Sequence, residues 1–414
     1  MHPKIRFESE VVNDYPSWGK QPLGNIILKM SSGLSRQLKT ENVGLAVIRS
    51  NNMADKYTTN KDIKYWYEDD PQGANTSNYI LEEGDILVNF INSLSQIGKT
   101  SLFRKLPNTN TIYTTNILRL KLNPSQVNEL FFFYFTKTVT FETYIRAITK
   151  PAVNQASFTT KEFVQLEVPL PCLQEQQKIA DFLTSVDTKI SQLTEKHCLL
   201  KDYKKGVMQQ IFSQKIRFKD DDGSAFPDWQ TDRLDWFINR VNEPVDVEHD
   251  EKYREIGIRC HGKGIFHKVE KIGCELGGKR VFWVHPRALI INIVFAWERA
   301  VAVTSGNEKG FIASHRFPMF IPVEGRSDLD YLLYFFLSPK GEYLLNLASP
   351  GGAGRNKTLG QTEFARLKVH LPCLKEQQKI AQFLQSIDKK IDAVNEQIEQ
   401  IKLFKKGLLQ QMFV

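Results

Sequence analysis

Long apolar runs are missing from this chain. Its most apolar stretches, residues 131–135 and 288–296, fall far short of the roughly 20 residues that a membrane-crossing helix needs. The opening Met1-His2-Pro3-Lys4 leads into no apolar segment, so no secretory leader is expected. Cysteine is scarce, with five among 414 residues: Cys172, Cys198, Cys260, Cys274 and Cys373. None stands in a CxxC pair, which argues against a structural zinc site. An odd number without a dense framework fits a reducing compartment. These absences predict a soluble protein of the cytoplasm.

The usual signatures of catalysis are missing as well. There is no G-x-x-x-x-G-K-[ST] loop to cradle nucleotide phosphates. Gly98-Lys99-Thr100 comes nearest, but Ser93 stands where the first glycine is required. Gly351-Gly-Ala-Gly354 lacks the spacing of a dinucleotide loop. No Asn-Pro-Pro-aromatic run of the kind amino-methyltransferases use is present. The eight histidines are scattered. His261 and His267 are neighbours, yet no acidic residue stands at metal-ligand spacing. His315 beside Arg316 reads as a structural or DNA-facing pair rather than a general base. Asp85, after a glycine in a strand-like run, reads as a turn residue rather than a nuclease carboxylate. No catalytic residue and no metal ligand are therefore assigned.

What is present is a basic, globular composition. Hydrophobic residues make up 41% and charged residues 25%, enough for a core with a solvated surface. The net charge of +8 and pI near 9.0 point toward a polyanionic partner.

An internal repeat organises the chain. Residues 166–212 align without a gap to residues 367–413, and more than half of the positions are identical. Leu170-Pro-Cys-Leu and Glu175-Gln-Gln-Lys-Ile-Ala recur as Leu371-Pro-Cys-Leu and Glu376-Gln-Gln-Lys-Ile-Ala. A fainter repeat opens each half: Lys4-Ile-Arg-Phe7, Pro16, Trp18 and Leu23 match Lys215-Ile-Arg-Phe218, Pro227, Trp229 and Leu234. Between these landmarks the halves share little. The division expected is a variable domain at 1–165, a repeated helical region at 166–213, a second variable domain at 214–366, and a second helical region at 367–414.

The repeated segments read as long helices. Pro171 and Pro372 end the strand-like runs before them. Apolar residues then recur at Ile179, Val186, Ile190, Leu193 and Leu200, and at Ile380, Ile387, Ile391, Val394, Ile398 and Ile401. From Ile387 the steps alternate four and three, a heptad seam that calls for a partner helix. Each arm would be roughly 55–60 Å long at 1.5 Å per residue. Near-identical seams favour the two helices pairing with each other; the residues alone leave parallel and antiparallel pairing open. Gly206 and Gly407 lie inside the pattern, where a bend or a close helix contact is expected.

The variable regions read as mixed α and β. Residues 45–50 and 84–90 look like strands, 125–137 like a helix and 73–78 like a loop. In the second region, 253–259, 280–284 and 288–295 look like strands and 329–336 like a helix. Basic and amide side chains crowd the connections. The first region offers Arg49, Ser50 and Asn51, then Asn92, Ser93, Gln96, Lys99 and Thr100. The second offers Arg259, His261, Lys263, His267, Trp297, Arg316, Arg355, Asn356 and Lys357. Arg and Lys suit guanine edges, Asn and Gln suit adenine, and all of them hold phosphates. Taken together, inside a duplicated basic frame, they are candidate DNA contacts.

The doubled Leu-Pro-x-x-x-Glu-Gln-x-x-Ile-Ala signature at 170–180 and 371–381 resembles the conserved region of the specificity subunits of Type I restriction–modification enzymes. The resemblance covers the whole chain in order. It implies two target recognition domains separated by two long helices that pair as an antiparallel coiled coil, in a pseudo-twofold tandem duplication of α+β class. It further implies reading of a bipartite, asymmetric DNA target whose gap is set by the helices. The implied partners are double-stranded DNA, two modification subunits that methylate adenine with S-adenosylmethionine, and two restriction subunits that use ATP and magnesium. No cofactor would sit on this chain. Two other classes remain open: a coiled-coil scaffold without DNA binding, and a nuclease or methyltransferase with a hidden site. Salt-sensitive DNA binding separates the first, and turnover by the chain alone separates the second.

Overall fold

The computed structural model describes residues 3–7, 15–107, 109–153, 155–351 and 357–413. The chain divides into two compact units. Unit 1 is Met1–Leu193 with Gln397–Val414, and unit 2 is Thr194–Glu396.

Unit 1 is built on a four-stranded antiparallel sheet in the order Ile27–Ser32, Ile117–Leu122, Ile86–Asn89, Thr100–Leu102. Branched side chains suit this pleated, buried surface; Ile86, Val88, Leu118 and Leu120 are all buried. A second sheet places Gly44–Ile48 between Lys64–Tyr67 and, in parallel, Thr111–Tyr113. Helices Glu129–Phe135 and Val139–Ile148 pack their aromatic faces into the same core as the first sheet. Their starts are set by side-chain caps. Asn128 Oδ1 accepts the Phe131 amide at 2.9 Å, and Thr138 Oγ1 accepts that of Phe141 at 3.3 Å.

Unit 2 repeats this plan where the sequences show no repeat. Its four-stranded sheet runs Ile238–Val241, Met319–Pro322, Leu289–Ile291, Val301–Val303, the same order strand for strand. Helices Leu329–Leu337 and Pro339–Leu347 follow, capped by Asp328 and Ser338. The strands and helices read from the sequence are present; most are shorter, while the helix read at 329–336 runs one residue further, to Leu337. The expected run at 253–259, for example, is split into Lys252–Tyr253 and Ile256–Ile258.

In each unit an early strand pairs antiparallel with the strand that leads into a long helix. These pairs are Gly19–Pro22 with Glu167–Leu170, and Gln230–Arg233 with Lys368–Leu371. The long helices then run unbroken over Leu173–Phe212 and Leu374–Met412. The seam positions are buried or half-buried in both. In unit 1 the tail of the second helix lies on the start of the first. Leu408, Leu409, Met412 and Phe413 share a core with Ile179, Ala180 and Leu183, and Lys405 Nζ is 2.6 Å from Asp187. In unit 2 the tail of the first lies on the start of the second. Ile211 joins Ile380, Leu384 and Ile387, and Lys204 Nζ is 2.6 Å from Asp388. The pairing is antiparallel in each unit.

The repeated Glu-Gln explains how each helix is seated. Glu175 is fully buried and takes a fork of two bonds from Arg6, at 3.0 and 2.8 Å, and a third from Trp18 Nε1 at 3.2 Å. Gln176 donates to the carbonyls of Gln126 and Pro171 and accepts the Asn128 amide. In unit 2, Arg217 forks onto buried Glu376 at 3.2 and 2.8 Å. Gln377 there joins the Arg326 and Pro372 carbonyls to the Asp328 amide. The opening segments are placed alike. The Lys4 and Ile5 amides donate to Gln411 O, as those of Lys215 and Ile216 do to Gln210 O.

Of the bend or close helix contact expected at the two glycines, the close contact fails: a Cβ at Gly206 or Gly407 would meet nothing within 4 Å. The helix continues through both because neighbouring turns supply the hydrogen bonds, and glycine there only costs backbone entropy. Gly206→Ala and Gly407→Ala should each stabilise the chain by about 0.5–1 kcal/mol, read as a higher denaturant midpoint. Glu376→Ala should cost about 2–3 kcal/mol, because it removes the charge-assisted fork that ties Arg217 to the helix start. Glu376→Gln, which keeps an acceptor, should cost less. A loss from Glu376→Ala no greater than an ordinary surface change would contradict this account of the seat.

Candidate nucleic-acid interface

In unit 1 the candidates from Asn92 to Lys99 lie on the hairpin joining the third and fourth strands of the main sheet, and in unit 2 several candidates line clefts beside the equivalent hairpin. In unit 1 this connection leaves at Asn89 and returns at Lys99, closed by Asn89 N–H to Lys99 O at 2.9 Å. In unit 2 it leaves at Asn292 and returns at Ala300, closed by the same bond at 2.9 Å. Sequence reading missed this equivalence: the loops differ in length and share only the root asparagine, Asn89 and Asn292, at matching positions.

The unit 1 hairpin is held by local bonds. Asn92 Oδ1 accepts the Ser93 amide at 2.8 Å, and the Gln96 and Ile97 amides turn back to Ser93 O. Gly98 has φ +76, and a Cβ there would lie 2.6 Å from Ile145, so only glycine fits. Ser93 and Lys99 are exposed. A cleft of about 370 Å³ opens beside the loop, with Ser95, Lys99, Lys137 and Arg146 on its walls. Lys137 donates to Thr100 O at 2.9 Å, and burial pushes its ammonium down to about 8. Thr100 is not on this surface: it is buried, with its hydroxyl 2.6 Å from that of Thr136. Sequence could not separate it from Lys99, since the chain passes from loop to sheet between them.

Arg49, Ser50 and Asn51 do not line that cleft. They form a single tight turn, Ser50–Asn52, anchored by the buried Asn52. The Asn52 amide donates to Thr59 O and Lys61 O, and Arg49 Nη2 donates to Asp62 O at 2.5 Å. Asn51 is the exposed member of the turn.

Unit 2 brings more of its candidates together. Two clefts of about 420 and 520 Å³ share Lys268, Asn292, Phe295 and Phe317 as walls. Arg316, His315 and Lys279 border the first; Arg259, His261 and Lys263 border the second. His261 (φ 59) and Arg299 (φ 57) hold left-handed backbone. Their turns are zipped by His261 N–H to Glu298 O at 2.8 Å and Gly262 N–H to Arg299 O at 3.1 Å. Arg259 lies over the Phe266 ring and donates to Ile265 O. The Cys260 thiol is pushed up to about 11, first by burial and then by Glu298, so it is no nucleophile near neutral pH.

His267, Trp297 and Lys357 line neither of these clefts. His267 Nε2 is 2.9 Å from Glu308, and its ring meets the Phe311 ring edge-on. Trp297 donates to Val294 O, with Lys357 5.8 Å from its ring. Arg355 and Asn356 lie outside the described residues. Lys268, Lys279 and Asn292 were missed by sequence reasoning; the two lysines stand in ordinary charged stretches, and the asparagine sits at the end of an apolar strand.

Nothing among these residues assembles a catalytic group. Asp85 accepts the Glu82 amide at 2.7 Å and pairs with buried Arg119 at 2.7 Å, with burial pushing its carboxyl up. It is the turn residue its sequence suggested. Among the described residues no group of three His, Cys, Asp or Glu is placed to hold a metal. No helix among them is long and apolar enough to cross a membrane.

Comparison with known proteins decides the family. The sequence model described as the Type I restriction modification DNA specificity domain matches residues 24–199 and 291–403, well over half of the chain. The chain belongs to the Type I restriction–modification specificity family. A Methanocaldococcus jannaschii protein named as the MjaX specificity subunit of a type I restriction enzyme is 25% identical, over 97% of this chain and 94% of its own length. The MjaVIII specificity subunit of the same organism is 26% identical, over 80% of this chain and 78% of its own. The crystal structure of the S subunit from M. genitalium superposes with a TM-score of 0.54 at 13% identity, over 100% of this chain and 99% of that one. As a specificity subunit, this chain is the non-catalytic part that recognises DNA sequence, and its fold is that of the S subunits.

Proposed function

We propose that this specificity subunit reads a split, asymmetric DNA target, one half-site with residues 1–165 and the other with residues 214–366. The observation that carries this reading is the pair of equivalent hairpins. They are rooted by the same backbone bond at the same place in equivalent sheets, yet different basic side chains stand on or beside them. Ser93 and Lys99, on the first hairpin, act in the first half; Arg259, His261 and Lys263, in the cleft beside the second, act in the other. Different residues around equivalent supports imply different bases read. The partners are double-stranded DNA, two modification subunits and two restriction subunits, in the cytoplasm of a bacterium or archaeon. S-adenosylmethionine belongs to the modification subunits, and ATP with magnesium to the restriction subunits. This chain supplies the address.

Co-expression with a modification subunit from the same source, followed by single-molecule mapping of N6-methyladenine, should yield one split motif with unlike halves. Exchanging residues 1–165 for another recognition domain should change one half only. A soluble complex that methylates nothing would overturn the reading. At the residue level, Lys99→Ala should reduce the slope of log affinity against log salt by about 0.9, the share of one phosphate contact. Thr100→Val, which alters a buried side chain, should leave that slope unchanged.

A further inference from the structure

Asn292 and Lys268 are the polar residues that the two unit 2 clefts share. Asn292 is nine-tenths buried, and its backbone amide is committed to Ala300 O. Its side-chain Oδ1 accepts the Val294 amide at 3.1 Å. That bond fixes the plane of the amide. Among the described residues the Nδ2 hydrogens have no acceptor, and Nδ2 is not sealed from solvent, so an acceptor entering the clefts can take them.

The surroundings define that acceptor. Lys268, Lys279 and Arg316 border the same cleft, and Glu255 is the one carboxylate on its walls. Lys279 is 2.8 Å and Lys268 3.6 Å from Glu255, which holds both ammonium groups at the cleft. Three cations against one carboxylate leave an excess of positive charge. An asparagine that reads adenine needs both its amide atoms, one to accept and one to donate. Here Oδ1 is already engaged, so Asn292 offers donors only. Donors and cations together suit a singly charged oxyanion.

We infer that Asn292, with Lys268, Lys279 and Arg316, seats a backbone phosphate of the DNA bound by unit 2. This rests on the DNA-reading function proposed above. Such a contact positions the duplex for the base-reading loops and carries no sequence information itself.

The test uses the complex with its modification subunit and a duplex carrying the mapped target, titrated over a series of salt concentrations. Asn292→Asp keeps an oxygen for the Val294 amide and places negative charge on the cleft side. It should weaken binding at least tenfold, equally for the target and for a duplex with one half-site scrambled. Arg316→Gln should lower the log–log salt slope by about 0.9. The methylated motif should stay the same in both variants. Unchanged affinity and slope would overturn the phosphate seat while leaving DNA reading intact. A motif altered at one base would overturn it in favour of base reading by Asn292. If the wild-type complex binds no duplex at all, the function proposed above fails and this inference fails with it.

Discussion

Each long helix is seated by a carboxylate and an amide that water does not reach. Glu175 and Glu376 are fully buried, and a buried charge is tolerated only when it is paired and hydrogen-bonded. Arg6 and Arg217 supply the pairing from the opening segment of each half. Gln176 and Gln377 then tie the helix start to the cap of the aromatic helix, through the Asn128 and Asp328 amides. Three pieces of chain, far apart in sequence, meet at one pair of side chains. Loss of any partner leaves a buried polar group unsatisfied. Divergence has therefore spared these points and little between them.

The same frame carries unlike electrostatics. Tyr134 and Tyr334 both donate to an aspartate of a long helix, Asp187 and Asp388, at 2.7 Å. A lysine from the tail of the other helix completes each bridge. Around Asp187, unit 1 adds Lys56, which donates to Tyr134 at 2.8 Å and whose ammonium burial pushes down. Around Tyr334, unit 2 instead places Asp330 and Asp392, and burial together with these acids raises the phenol. A conserved bridge fixes geometry, and the variable residues beside it are free to set the local charge.

Much of the frame was legible because it is periodic or repeated. Heptad spacing located both helices, and the doubled signature located their starts. Pairing direction was not legible, since Asp187 and Lys405 stand more than two hundred residues apart and carry no local signal. Nor was the common sheet order of the two units. Strands of three to six residues give too little pattern once their side chains diverge, and only the strand pairing reveals that Ile86–Asn89 and Leu289–Ile291 are one element. At the candidate site, composition singled out loops but not the facing of each residue. Thr100 and Lys99 are adjacent, yet one is locked to Thr136 and the other is exposed. Asn292 was hidden for the opposite reason: an asparagine closing an apolar strand looks like an ordinary strand end.

A hairpin between a central and an edge strand, the support proposed for recognition, resolves a conflict between precision and change. The roots must be rigid for side chains to meet bases at hydrogen-bond distance. Here they are, because Asn89 to Lys99 and Asn292 to Ala300 continue a buried ladder. The span between roots is under no such constraint. It crosses ten residues in unit 1 and eight in unit 2, counted from one root to the other, without disturbing the sheet. Arg299 and Gly98, both in left-handed backbone, then shape each loop locally. Loop length and composition can thus change while the helix seat stays fixed, which is what the proposed reading of two unlike half-sites requires.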